Sequence, residues 1–216
     1  MAKSLYIQKL IAQGEHQQLD FKFEISSARK IARTFSAFAN TDGGTLLIGV
    51  KDNGAIAGVR SEEEKFMADS AASLFCNPPV QFTSKEWVIN DKVILEITIP
   101  KGEAGPYFAK NDEDLWRIYI RVKDQNILAN KILANALKRK SGGVGTYITY
   151  TDKEKILLEY LETHDHITFS GFRKLAKLSP HRAQTIQTNF LSLYILEADL
   201  SEKQVVYRMA GDPYNE

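Results

Sequence analysis

The chain has 216 residues, 44 % of them hydrophobic and 25 % charged, an ordinary balance for one large globular domain or two small ones. Its single cysteine, Cys76, excludes an intramolecular disulfide framework and a zinc site of the multi-cysteine type. A net charge of +1 excludes a global basic excess, though a neutral total can hide a basic face, and no apolar run reaches the roughly 18 residues of a membrane span.

In chain order, Ser4 to Gln13 reads as a helix with Leu5, Ile7, Leu10 and Ile11 as its apolar positions. Lys3 and Lys9 break up this terminus, so it does not read as a secretory signal and a cytoplasmic location is expected. Leu19 to Phe23 alternates as a strand. Ser26 or Ser27 can cap a helix over Ala28 to Ala39, whose Ile31, Ala32, Phe35, Phe38 and Ala39 fall at helical spacing. A polar turn, Asn40 to Gly44, then feeds a buried strand, Thr45 to Val50. A second turn follows at Asp52-Asn53-Gly54. Glu62 to Phe75 reads as a helix that stops before Pro78-Pro79. Val80 to Ile89 and Val93 to Ile99 read as a hairpin joined by Asn90-Asp91, Leu115 to Val122 as a further strand, and Ile127 to Lys140 as an amphipathic helix.

Residues 142–150 contain Gly142, Gly143 and Gly145 and read as a linker between a domain over 1–141 and a second over 151–216. Beyond it come three expected helices: Asp152 to Thr163, Ser170 to Leu178, and one opened by Ser179-Pro180, where proline suits the first helical turn. Two short strands follow, Ile195 to Ala198 and Val205 to Met209, around Ser201-Glu202-Lys203-Gln204. Three helices and a β-hairpin form the pattern of a winged helix-turn-helix. The expected fold class is therefore α+β: a mixed sheet flanked by helices, plus a smaller C-terminal winged helix.

Three separated stretches carry a resemblance. They are Glu15 with Asp20-Phe21-Lys22, the segment Phe38-Ala39-Asn40-Thr41-Asp42-Gly43-Gly44 through Gly49-Val50 to Gly58, and Trp116 to Lys123. In this order they resemble the Schlafen/AlbA-type DNA-binding domain over roughly residues 12 to 138. The resemblance implies a mixed α/β fold and nucleic-acid binding, and in some members metal-dependent endoribonuclease activity. Under that alternative Glu15, Asp20 and Asp52 would hold Mg or Mn, and Lys22 would stabilise phosphate charge. Asp20 stands where the family has glutamate, and Lys51 stands beside Asp52 where the family often has two acids, which disfavours a cation there. The bland reading of the same residues is a surface ion-pair cluster. No Gly-x4-Gly-Lys-Ser/Thr phosphate loop occurs, so no nucleotide and no resident cofactor or metal is expected.

Arg117, Arg121 and Lys123 alternate along the last strand and could share one face that meets phosphates. In the C-terminal part, the third helix would offer His181, Arg182, Gln184, Thr185 and Thr188 to DNA. Arg173, Lys174 and Lys177 on the preceding helix, and Lys203 at the wing tip, would reach the backbone. His164-Asp165-His166 reads as a solvated turn. The expected function is nucleic-acid binding, as a DNA-binding transcriptional regulator with RNA as a second candidate partner, no membrane, and a homodimer left open. The alternatives are the ribonuclease and a protein-interaction module.

Overall fold

The computed structural model describes residues 2–59, 62–103, 105–142, 150–201 and 204–211. The chain divides into two compact units, Met1–Ala129 and Asn130–Glu216. Among the described residues, no helix is long and apolar enough to cross a membrane.

The first unit follows the predicted order, with short strands added. It runs α1 (Ala2–Gln13), β1 (Leu19–Lys22), α2 (Ala28–Asn40), β2 (Gly44–Ile48), α3 (Glu63–Leu74), β3 (Cys76–Asn77), β4 (Thr83–Ile89), β5 (Lys92–Ile99), β6 (Phe108–Lys110), β7 (Trp116–Val122) and β8 (Gln125–Leu128). One sheet has the order β1-β2-β5-β4 and is mixed: β1 runs parallel to β2, and the other pairs are antiparallel. A second, antiparallel sheet has the order β3-β6-β7-β8.

Strand alternation sorts the apolar residues of the mixed sheet between its two faces. Leu47, Leu19 and Phe21 pack with Ile7 of α1 on one side. Leu46, Ile48, Ile97 and Ile99 pack with Phe35 and Phe38 of α2, and with Ala68 and Ala71 of α3, on the other. Phe35 and Phe38 are wholly buried, each worth roughly 1.5–3 kcal/mol relative to exposure. Because Leu19 and Phe21 face α1, Asp20 between them is turned toward the α2 side. That placement decides its chemistry.

The second unit contains α4 (Lys131–Ser141), α5 (Asp152–Thr163), β9 (Ile167–Thr168), α6 (Phe169–Leu175), α7 (Pro180–Ser192), β10 (Leu196–Asp199) and β11 (Val206–Met209). Its sheet has the order β10-β11-β9 and is antiparallel. Short polar side chains start the helices: Asn130 accepts from Leu133 N–H, Thr168 from Gly171 N–H, and Ser179 from Arg182 N–H, while Thr151 and Glu154 form a capping box on α5. Such caps contribute about 1 kcal/mol each.

The helix expected from Ile127 begins only at Lys131, because Gln125–Leu128 pairs as β8 with β7. This helix, α4, was expected at the end of the first domain. It buries Ile132 and Ala136 in the second core, with Leu157, Phe172, Ile186, Phe190 and Tyr207. Of the expected linker, residues 143–149 lie outside the described residues.

Candidate functional site

The acidic residues of the first unit meet at the start of β1. Lys22 Nζ lies 3.1 Å from Asp20 Oδ2 and 3.9 Å from Glu15 Oε1. Glu15 Oε1 also accepts the Phe21 backbone N–H at 2.9 Å. Burial, and after it a hydrogen bond shared with Asp20, push the Glu15 carboxyl above the usual glutamate range. Asp20 is 2 % exposed, and its Oδ1 takes a 3.3 Å contact from Arg121 Nη2. So Glu15, Asp20 and Lys22 come together as the sequence suggests, but around a guanidinium. Asp52 stays exposed in the turn after Val50. Among the described residues no three His, Cys, Asp or Glu side chains gather as a metal site.

The expected cationic face of β7 is corrected in its middle. Arg121 is 2 % exposed. Its Nη2 donates to the His16 and Leu19 carbonyls at 3.2 and 3.1 Å and its Nη1 to Asn126 Oδ1 at 3.1 Å, and the guanidinium lies 5.1 Å from the Phe38 ring. The physical reason is the cover provided by α2: the face bearing Tyr119 and Arg121 is the one against which α2 packs, with Tyr119 N–H donating to Ser36 Oγ at 3.3 Å. A guanidinium taken out of water must find acceptors, and this one finds two carbonyls, a carboxylate and an amide. It does not reach a phosphate. Arg117 and Lys123 remain exposed, Lys123 in a left-handed turn at φ 56°.

The polar turn before β2 is structural in detail. Asn40 Nδ2 donates to the carbonyls of Tyr107 and Tyr119 at 2.8 and 2.9 Å, and its Oδ1 accepts Tyr107 N–H at 2.8 Å. Thr41 Oγ1 donates to Ala37 O and accepts Arg121 N–H. Gly43 has φ +71°, and a Cβ there would stand 2.7 Å from Ile99 O; a Cβ on Gly44 would stand 2.5 Å from the Phe38 ring. The turn joins α2 to both sheets. Sequence reasoning missed Gln17, whose Nε2 donates to Arg121 O at 3.0 Å and whose Oε1 accepts Lys123 N–H at 2.8 Å. It also missed Asn126. Neither residue type carries a periodic signal.

In the second unit the nucleic-acid candidates divide by burial. Lys174, Lys177, His181 and Arg182 are exposed along the end of α6, the following turn and the first turn of α7. Arg173 is half-buried, with its guanidinium 5.8 Å from the Phe169 ring. Arg182 Nη2 contacts Glu154 Oε1 at 3.3 Å, so this arginine also braces α7 against the capping box of α5. Thr185 is half-buried and returns its hydroxyl to the His181 carbonyl at 2.9 Å. Thr188 is corrected: it is 1 % exposed, because α7 is buried on more than one face, with α4 packed against it as well as the core that takes Ile186 and Phe190. Gln184 is half-buried and lines an open pocket. Lys203 lies outside the described residues.

No curated protein matches the chain. Among solved structures it is similar to the DIP2311 protein from Corynebacterium diphtheriae, with 18 % identity and a TM-score of 0.49 over 84 % of this chain and 35 % of that one. The chain thus spans about a third of that protein's length. It is also similar to the N-terminal domain of a RecG-related protein from Nitrosomonas europaea, with 21 % identity and a TM-score of 0.42 over 60 % of this chain and 95 % of that one. The sequence profile of the Schlafen, AlbA_2 family matches residues 15–130, more than half of the chain. That stretch holds the Glu15–Asp20–Lys22 cluster, the Asn40–Gly44 turn and Arg121, and on it the chain belongs to the Schlafen, AlbA_2 family.

Proposed function

We propose that this protein binds nucleic acid, with double-stranded DNA as its partner, and that the second unit is a winged helix-turn-helix making the contact. The observation that carries the reading is the exposed pair of cations at the α6–α7 turn, Lys174 and Lys177, with exposed His181 after them at the entry to a helix held by a Ser179 cap. Side chains on such a turn suit phosphates, and the first turn of the helix behind it can approach base edges. Membership of the first unit in the Schlafen, AlbA_2 family supports a nucleic-acid-related role. A transcriptional regulator is the finer reading. The ribonuclease alternative has less support, since the Asp20 carboxylate is taken up by Arg121 and Lys22.

The test is a binding titration of the intact protein against duplex DNA and structured RNA at two salt concentrations, with and without Mg²⁺. Expected is DNA binding that weakens with salt. The Lys174→Glu, Lys177→Glu double variant should lower affinity and flatten the salt slope by about 1 for each phosphate that is no longer neutralised. Salt-dependent binding that ignores this double variant removes the winged-helix part. No binding to either nucleic acid leaves the protein-interaction module as the reading, and cleavage of RNA that stops in Glu15→Gln restores the nuclease.

A further inference from the structure

The second unit contains a cavity of about 520 Å³, within the range of small-molecule sites. Its walls come from separate segments: the start of α4, the β9–α6 junction, the first half of α7 and the segment leading into β11. Ile132, Phe169 and Tyr207 supply apolar surface, and Ile132 and Tyr207 belong to the unit's core. Ser170, Gln184 and Gln204 supply a hydroxyl and two amides.

Among the described residues one charged side chain stands in the walls, Lys131, exposed at the first position of α4, with no described aspartate or glutamate beside it. An uncompensated cation at the edge of a partly apolar hollow selects sign as well as shape. An anion gains there what a cation loses. The amides and the hydroxyl can donate to the oxygens of an acid group, whereas the apolar walls reward a hydrocarbon body.

We propose that this pocket binds a small organic anion with an apolar body, its acid group at the Lys131 end and its body against Ile132, Phe169 and Tyr207. The site goes beyond nucleic-acid binding and stands without it, since none of its chemistry requires DNA. Gln184 lies on α7, so occupancy is read out on the helix that carries the proposed DNA contact.

The experiment is an amide-resolved NMR titration of the intact protein with 1-naphthoate and, in parallel, with its neutral analogue 1-naphthamide. Expected are saturable shifts at Ser170, Gln184 and Gln204. Lys131→Glu should weaken naphthoate by about tenfold and leave naphthamide unchanged. Glutamate suits the first turn of a helix, so this variant keeps its fold. Val205→Trp, which fills the cavity, should weaken both probes, and Lys131→Met should fall between wild type and Lys131→Glu for naphthoate alone. Naphthoate shifts that do not saturate at these residues, or an affinity that Lys131→Glu leaves intact, overturn the proposal. Because no nucleic acid is present, failure here is separate from failure of DNA binding.

Discussion

Arg121 and Arg182 both stand on elements that could meet a phosphate backbone, and the fold treats them oppositely. Arg121 lies under α2, 2 % exposed, with its guanidinium spread over the His16 and Leu19 carbonyls, the Asp20 carboxylate and the Asn126 amide. Arg182 is about half exposed, and the Glu154 carboxylate lies 3.3 Å from its guanidinium. The first has been converted into framework, because every acceptor it meets belongs to the protein. The second braces one helix against another and still shows much of its surface to water. Charge alone therefore does not mark a nucleic-acid contact; what covers the charge does.

The largest expected effect comes from breaking the buried arginine. Arg121→Met leaves Asp20 in the interior without its guanidinium and should cost about 3–5 kcal/mol, read as a lower urea midpoint. Its folded fraction should bind nucleic acid as tightly as wild type. An affinity loss without a stability loss would place Arg121 at the interface after all. Next in size is Gly44→Ala, which sets a methyl 2.5 Å from the buried Phe38 ring. Overpacking of this kind should cost about 1–3 kcal/mol, seen as a lower Tm.

Arg182→Ala should reverse the pattern of Arg121. Glu154 is buried but keeps the Thr151 N–H and hydroxyl as donors, so the stability loss should stay below that of Arg121→Met, while the larger loss should appear in DNA affinity and in the salt slope. Equal stability losses in the two arginine variants would erase the comparison. The smallest effect is a pH dependence at Glu15. Its native pKa is raised, so the native state holds that proton more tightly than the unfolded chain does. The contribution is present below the ordinary glutamate pKa and is lost as pH rises from there through the raised value. Denaturant midpoints of wild type and Glu15→Gln across the mildly acidic range should show wild type losing ground to the variant as pH increases.

Long periodic segments were legible from residues alone. The Ile31–Phe35–Phe38 stripe specified α2, the apolar run after Gly44 specified β2, and Ser179-Pro180 marked the start of α7. The two-residue strands β3 and β9 and the three-residue β6 offer too few positions for any period to show. Gln125–Leu128 reads equally well as the first turn of the helix that follows, and only its pairing with β7 decides. Arg121 was misread for a tertiary reason: alternation gives a residue's side of a strand, but not whether a helix lies over that side. Thr188 was misread because threonine is tolerated on either face of a helix. The gathering of Glu15, Asp20 and Lys22 was visible in their spacing, whereas the Arg121 that completes the cluster is 101 residues from Asp20.

Asn40 behaves as an inserted peptide unit. Its side-chain amide pairs with the backbone of Tyr107 as a neighbouring strand would, giving one donor and one acceptor, and spends its remaining hydrogen on Tyr119. Shape is therefore the lesser part of its role and atom polarity the greater. Deamidation, which trades one nitrogen for oxygen with almost no change in volume, would turn an acceptor toward two carbonyl oxygens at a junction with little water. The seam between α2 and β7 thus depends on the identity of a single atom, and Asn40→Asp, nearly equal in volume, should loosen it.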